Sequence, residues 1–308
     1  KHAFLIICIS PILCFAQKDT SIINKLGRET VLSEVVIRSD LNVNAFLARV
    51  KDDTTFYKAF KNLHIIGYIS LNDIKMLNSH HAVQASLFSK TKQIREGNCR
   101  RMQVLEEKAT GDIYNGQKLN YYTAELYAGL FFTKEKICGE TNIVKGRELS
   151  TQGKSGIEKH KDQLKMLFFN PGKKIPGIPF IGNKIDIFDP GVSRYYAFSI
   201  DMGEMSGQEC YIFKIEPKAN ITSSDKNSIV FDNIITWFNS KTMEIVARNY
   251  DLSYDTPVYD FNVHMEVQMT RFGNLLVPQL LRYKGNWKVV FKKRERGEFT
   301  ATLSDFVE

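Results

Sequence analysis

Alternation of period two dominates the second half of the chain. Phe261, Val263, Met265, Val267 and Met269 alternate with Asp260, Asn262, His264, Glu266, Gln268 and Thr270, which gives a strand one dry and one wet face. Segments 194–202, 209–216, 229–238, 242–250, 259–270, 275–283 and 286–294 read as successive strands. Asn239-Ser240, Gly273-Asn274 and Gly285-Asn286 fall between some of them as hairpin turns. In the first half, 31–38, 65–76, 82–94 and 99–108 are predicted as strands. Residues 113–133 are predicted to add one or two more, with Asn115-Gly116 as a hairpin turn. Two helices interrupt the series. Phe56, Phe60 and Leu63 share a face behind Asp52 and Asp53. Further on, Ser155 and Glu158 form a capping box, Ile157, Leu164, Leu167 and Phe168 share a face, and Asn170-Pro171-Gly172 stops the run. Residues 170–191 hold four prolines and four glycines and cannot be a central strand, so they read as a loop. The chain is expected to be mainly β (α+β): a curved antiparallel sheet or incomplete β-barrel with two or three short helices.

The N-terminal segment breaks the alternation. Lys1 and His2 lead into an apolar run from Ala3 to Phe15, and Ala16 precedes Gln17, the layout of a secretory signal peptide cleaved after Ala16. A membrane anchor needs roughly 20 apolar residues; this run is shorter and contains Pro11. Pro11, Ile12 and Leu13 before Cys14 make a poor lipidation site. The expected organisation is a signal peptide at 1–16, a mobile leader at 17–30, and one β-rich domain over 31–308 with an internal loop at 170–191. The mature chain is expected to be exported, to the periplasm or the extracellular space, without a transmembrane segment.

Composition narrows the partners. The 308 residues are 43% hydrophobic and 25% charged, with a formal net charge of +8, ordinary for a folded protein. Basic residues are dispersed, and the densest group, Lys288, Lys292, Lys293, Arg294 and Arg296, is mixed with Glu295 and Glu298. That reads as a solvated strand face, and no nucleic-acid partner is expected. Beyond the leader only Cys99, Cys138 and Cys210 occur, with no C-x-x-C spacing for zinc or redox chemistry. In an oxidising compartment Cys99 and Cys138, each after a short polar turn, are the expected disulfide, and Cys210 a buried small hydrophobe.

Catalytic signatures are sparse. His80-His81 are adjacent and would point to opposite faces of a strand. His160 lacks an H-E-x-x-H partner, His64 ends a helix, and His264 lies on the wet face beside Asn262 and Glu266. No G-x-S-x-G elbow and no phosphate-binding glycine loop occurs. Asp251, Asp255 and Asp260, interspersed with Tyr250, Tyr254 and Tyr259, read as a turn-rich connection. No catalytic residue, metal or cofactor is expected. What stands out is apolar: Tyr114, Tyr121, Tyr122, Tyr127, Phe131 and Phe132, then Leu164, Leu167 and Phe168, then Ile178, Phe180 and Ile181. Most belong in a core, yet a curved sheet plugged by a helix and a loop can leave an apolar cavity. The candidate lining is Tyr121, Tyr127, Phe131, Leu164, Leu167, Phe168, Ile178 and Phe180, and a lipid or acyl chain is the natural occupant.

The export signal, the helix FYKAFKNL, the mid-chain helix running into a Pro-rich loop, and the hairpins ITWFNSKTMEIV and LLVPQLLRYKGNWKVVFKK together carry a resemblance. The segments around Trp237 and Asn239, and around Val277-Pro278, Tyr283 and Trp287, are its closest points. The chain resembles the periplasmic lipoprotein-carrier (outer-membrane lipoprotein-sorting) superfamily and its secreted bacterial relatives. The resemblance implies an incomplete antiparallel barrel closed by helices, whose concave face holds acyl chains. The expected function is an exported, non-enzymatic envelope protein binding a lipid or other apolar ligand. The alternatives are a structural or protein-interaction module of the envelope, and a hydrolase whose site, with Asp, Glu and His264, is assembled across strands.

Overall fold

Adjacent strands pair antiparallel throughout the main sheet, through short turns in most cases and across long separations between β1 and β13 and between β3 and β6, so each alternating segment lays its dry side against the same interior. The computed structural model describes residues 42–133, 135–144, 167–173, 181–256, 259–289 and 293–308. The signal peptide, the leader, the strand predicted at 31–38, the capping box at Ser155, and Leu164, Ile178 and Phe180 lie outside the described residues.

Helix α1 (Val43–Asp52) starts at Asn42, whose side chain accepts from the Ala45 amide at 3.0 Å and so satisfies one of the first-turn donors. Helix α2 (Thr55–Asn62) buries Phe56 and Phe60, the face expected from their spacing. Strands β1 (Gly67–Leu77), β2 (Val83–Glu96) and β3 (Cys99–Gly111) follow. A small hairpin, β4 (Tyr114–Asn115) and β5 (Lys118–Leu119), turns at Gly116 as expected. Helix α3 (Tyr122–Phe131), β6 (Ile137–Cys138) and the one-turn α4 (Pro190–Ser193) lead to the second half. There β7 (Tyr196–Met205), β8 (Gln208–Pro217), β9 (Phe231–Asn239), β10 (Ile245–Asp255), β11 (Tyr259–Phe272), β12 (Leu275–Val289) and β13 (Glu295–Val307) run in succession.

Among the described residues, eleven strands form one open sheet in the order β6-β3-β2-β1-β13-β12-β11-β10-β9-β8-β7. The mainly β class and the unclosed antiparallel sheet with a few short helices are as expected from the alternation. No described helix is long and apolar enough to cross a membrane.

Four expectations are corrected, the first being that Tyr250, Asp251, Tyr254 and Asp255 belong to β10 and Tyr259 and Asp260 to β11 rather than to a turn-rich connection. The stretch 113–133 does not continue as strands after the hairpin: residues 122–131 are helical. Ala124, Glu125, Leu126 and Ala128 are strong helix formers, and the helix is apolar on nearly every side because it is buried on nearly every side. Gly285-Asn286 is not a turn but lies inside β12, and the last strand is Glu295–Val307 rather than 286–294. A Cβ on Gly285 would sit on the Tyr283 ring, 2.5 Å from Cζ, so this glycine makes room for an aromatic side chain within a strand.

Because β1 pairs with β13, the core is continuous across both halves. Leu87, Ile74, Phe299, Tyr283, Met265, Tyr250, Ile234, Ile215 and Phe198 are cross-strand neighbours on nine successive strands, and all are buried. The next row reads Ser89, Asn72, Ala301, Leu281, Val267, Arg248, Thr236, Phe213 and Ile200. It is equally buried but holds four polar residues in two neighbouring pairs, Ser89 with Asn72 and Arg248 with Thr236.

The expected disulfide joins Cys99 to Cys138, and Cys210 is free and buried. The bridge fastens β6 to the start of β3 and closes a loop across 39 positions. Cys138→Ser is expected to lower stability by about 2–4 kcal/mol in chemical denaturation, with the wild-type protein falling to the same value once reduced.

Candidate functional site

The concave face of β11, β12 and β13 is roofed by two helical pieces, α3 and residues 167–169. Helix α3 lacks a capping side chain of its own, and β13 supplies one. The Glu295 carboxylate accepts from the Tyr122 and Thr123 amides at 2.9 and 2.8 Å and from the Thr123 hydroxyl at 2.5 Å. A negative charge there satisfies free donors and complements the helix dipole. Inside, the Tyr127 hydroxyl donates to Asn72 Oδ1 at 2.8 Å, where the Ser70 hydroxyl also donates. The second piece is tied from below: the Tyr250 hydroxyl donates to the Phe168 carbonyl at 2.5 Å. Phe168 meets Tyr283 edge-on, and Phe169 packs 4.4 Å from Phe60 of α2. Helix α2 is seated in turn by the Asn62 side-chain amide, which donates to the Leu276 carbonyl at 2.7 Å.

Between roof and floor lies a cavity of about 20 Å³, room for one water-sized group. Leu126, Tyr127, Leu130, Phe131, Phe168 and Phe169 line it from above, and Met265, Leu281, Tyr283, Trp287 and Phe299 from below. Its walls are apolar in effect because the polar atoms of these rings are already engaged. Trp287 Nε1 donates to the Tyr283 hydroxyl at 2.7 Å, and Tyr283 stacks on Phe299 at 4.5 Å. Burial holds the Tyr127, Tyr250 and Tyr283 hydroxyls well above their ordinary pKa, so they act as neutral hydrogen-bonding groups.

Of the residues singled out from sequence, Tyr127, Phe131 and Phe168 line this cavity. Leu167 is buried in the same core. Tyr121 is half-buried, with its hydroxyl on Asp112. Leu164, Ile178 and Phe180 are outside the described residues. The floor residues Met265, Leu281 and Phe299 were not singled out, although each sits on the dry side of an alternating strand. Glu295 carries no local signal, because its partner is a helix 172 positions earlier in the chain.

The opposite, wet face holds the second constellation. His264 on β11 has Nδ1 2.6 Å from Asp251 and Nε2 3.2 Å from Glu266, which in turn accepts from Arg282 at 3.1 Å. Burial lowers the His264 pKa, but the hydrogen bonds to Asp251 and Glu266 outweigh it, and the net shift is upward. Both ring nitrogens are occupied by carboxylates on an open surface, so this is an ion-pair ladder across β10, β11 and β12.

Two solved structures are similar to the chain over most of its length. An outer membrane lipoprotein-sorting protein domain from Vibrio parahaemolyticus is 11% identical with a TM-score of 0.25, covering 85% of this chain and 89% of that one. A DUF1329 family protein from Desulfovibrio piger is 11% identical with a TM-score of 0.23, covering 82% and 93%. Neither transfers a residue role or a ligand to this chain at that similarity. No protein-family model matches the chain, and no curated protein matches it.

Removing the Glu295 cap is expected to loosen the roof selectively. Glu295→Ala should cost about 1–2 kcal/mol and speed amide exchange across 122–131 more than in the strands. For His264, a raised pKa means that the folded state favours the protonated ring. Its stabilisation is present below 6.5 and is lost as pH rises through the folded value; at 39% side-chain exposure the effect is small. An NMR titration should place the wild-type midpoint above 6.5 and show it falling in Asp251→Asn.

Proposed function

We propose that this chain is an exported, non-enzymatic protein of the cell envelope that holds a lipid or another apolar ligand in the concavity of its sheet. The observation that carries the reading is the roofed, apolar cavity between α3 with residues 167–169 and the floor of β11, β12 and β13. Only a water-sized space is open, so a ligand chain enters by displacing the roof. Each methylene it buries contributes roughly 0.8 kcal/mol, which offsets the contacts that α3 gives up with Asn72 and Glu295. The disulfide Cys99–Cys138 supports an oxidising compartment, as the N-terminal segment does.

The runner-up, a protein-interaction module, draws on one observation. Beyond Arg100, β3 has no described strand on its outer side, and Val104 and Leu105 are exposed there. Such an edge can accept a partner strand.

The full chain, purified from its host without detergent and extracted with organic solvent, should release acyl lipid at close to one molecule per protein by mass spectrometry. Emptied protein should enhance the fluorescence of N-phenyl-1-naphthylamine. Preparations that are empty and do not respond to that probe, but retain a protein partner, would favour the edge of β3 instead.

A further inference from the structure

Among the described residues, the concavity contains a cation with no carboxylate on it. Arg248 of β10 is only 8% exposed and belongs to the buried row that runs through Val267 and Leu281. Its Nε donates to the Thr236 hydroxyl at 2.9 Å, and its guanidinium lies 4.5 Å from the centre of the Phe56 ring of α2. Among the described residues these are its contacts, and no carboxylate is within ion-pair distance. Asp53, just before α2, exerts a favourable field on it, and Asp53 Oδ1 accepts from the Thr55 amide and hydroxyl. Arg100, the other guanidinium drawn toward the interior, shows what satisfaction looks like here. It takes both oxygens of Glu140, at 2.5 and 3.2 Å, with Gln93 and Thr133 on its third nitrogen.

A buried guanidinium stays charged, because its ordinary pKa is far above any physiological pH. Leaving a buried charge unpaired is strongly destabilising, whereas a well-packed apolar side chain of similar volume is often neutral or stabilising in its place. Its planar fork matches a carboxylate or a phosphate. Leu281, two strands away in the same row, lines the apolar cavity, and two strand spacings place it about 10 Å from Arg248.

Resting on the reading of the concavity as an apolar-ligand site, we propose that Arg248 is its head-group anchor. It binds the anionic head of an acyl amphiphile, the carboxylate of a fatty acid or the phosphate of a phospholipid. The chain of that ligand runs past Val267 into the space between Leu281, Phe168 and Phe169.

The test compares the fluorescent fatty acid cis-parinaric acid with its uncharged methyl ester, titrated into the emptied full chain. Wild type should bind the acid about tenfold more tightly than the ester. Arg248→Met should bind both alike, with the affinity for the ester unchanged, and should melt no lower than wild type. Arg248→Lys should keep part of the preference. Displacement of the bound acid by oleate but not by dioleoyl phosphatidylglycerol assigns the fatty acid, and displacement by both admits the phospholipid. Equal binding of acid and ester by wild type, or an undiminished preference in Arg248→Met, overturns the anchor while leaving the apolar site standing. Binding of neither overturns the apolar site and the anchor with it. The comparison within wild type needs no variant, so it decides even if Arg248→Met does not fold.

Discussion

The antiparallel pairing of β1 with β13 is the constraint on which the interior depends. Without it, the strands of the first half and the meander of the second would be separate sheets, each with an unfinished apolar face. With it, Ile74 meets Phe299 and Asn72 meets Ala301, and rows of side chains run unbroken over nine strands. That pairing joins segments more than 200 positions apart, so its loop-closure entropy must be met before the reward arrives, a slow step in folding. It also puts the centre of the floor, Tyr283 and Phe299, in the middle of the sheet, away from both edges.

The two rows divide the labour. One is apolar and aromatic and gives cohesion. The other carries Asn72 under α3 and Arg248 under α2, so each covering helix meets one polar group on the floor. Burying such groups costs free energy unless they are satisfied. Asn72 is satisfied by Tyr127 and Ser70, which fixes α3 in register as well as in place. Among the described residues Arg248 has Thr236 and the face of Phe56, an incomplete set for a charge, so the two polar places on the floor are unequally satisfied.

Much of the sheet was legible because its strands obey the alternation that burial imposes. β11 reads directly from Phe261 to Met269, and the turns at Gly116 and Gly273 carry the residues that positive φ favours. What escaped did so for physical reasons. Helix α3 has little polar face to give it a period, and its cap is the distant Glu295. Gly285 beside an asparagine looks like a turn, and only the aromatic residues two positions away on either side, Tyr283 and Trp287, hint that it is a space left for a ring. The cavity residues Tyr127, Phe131 and Phe168 were accessible as aromatic clusters, but which rings meet depends on the β1–β13 pairing, which no local pattern encodes. Arg248 did carry a signal: it stands on the dry side of Arg248, Tyr250 and Leu252, among the wet positions Asn249, Asp251 and Ser253.

The disulfide brackets more than a strand pair. Between Cys99 and Cys138 lie the whole of β3, the small hairpin and α3, so the roof helix sits inside a covalently closed ring. If α3 lifts to admit a ligand, as proposed, its excursion is bounded by that ring, which holds it close to its own floor. On that reading the bridge shortens the slack on the roof as well as stabilising the fold, so reduction of Cys99–Cys138 would loosen α3 before it loosened the central strands.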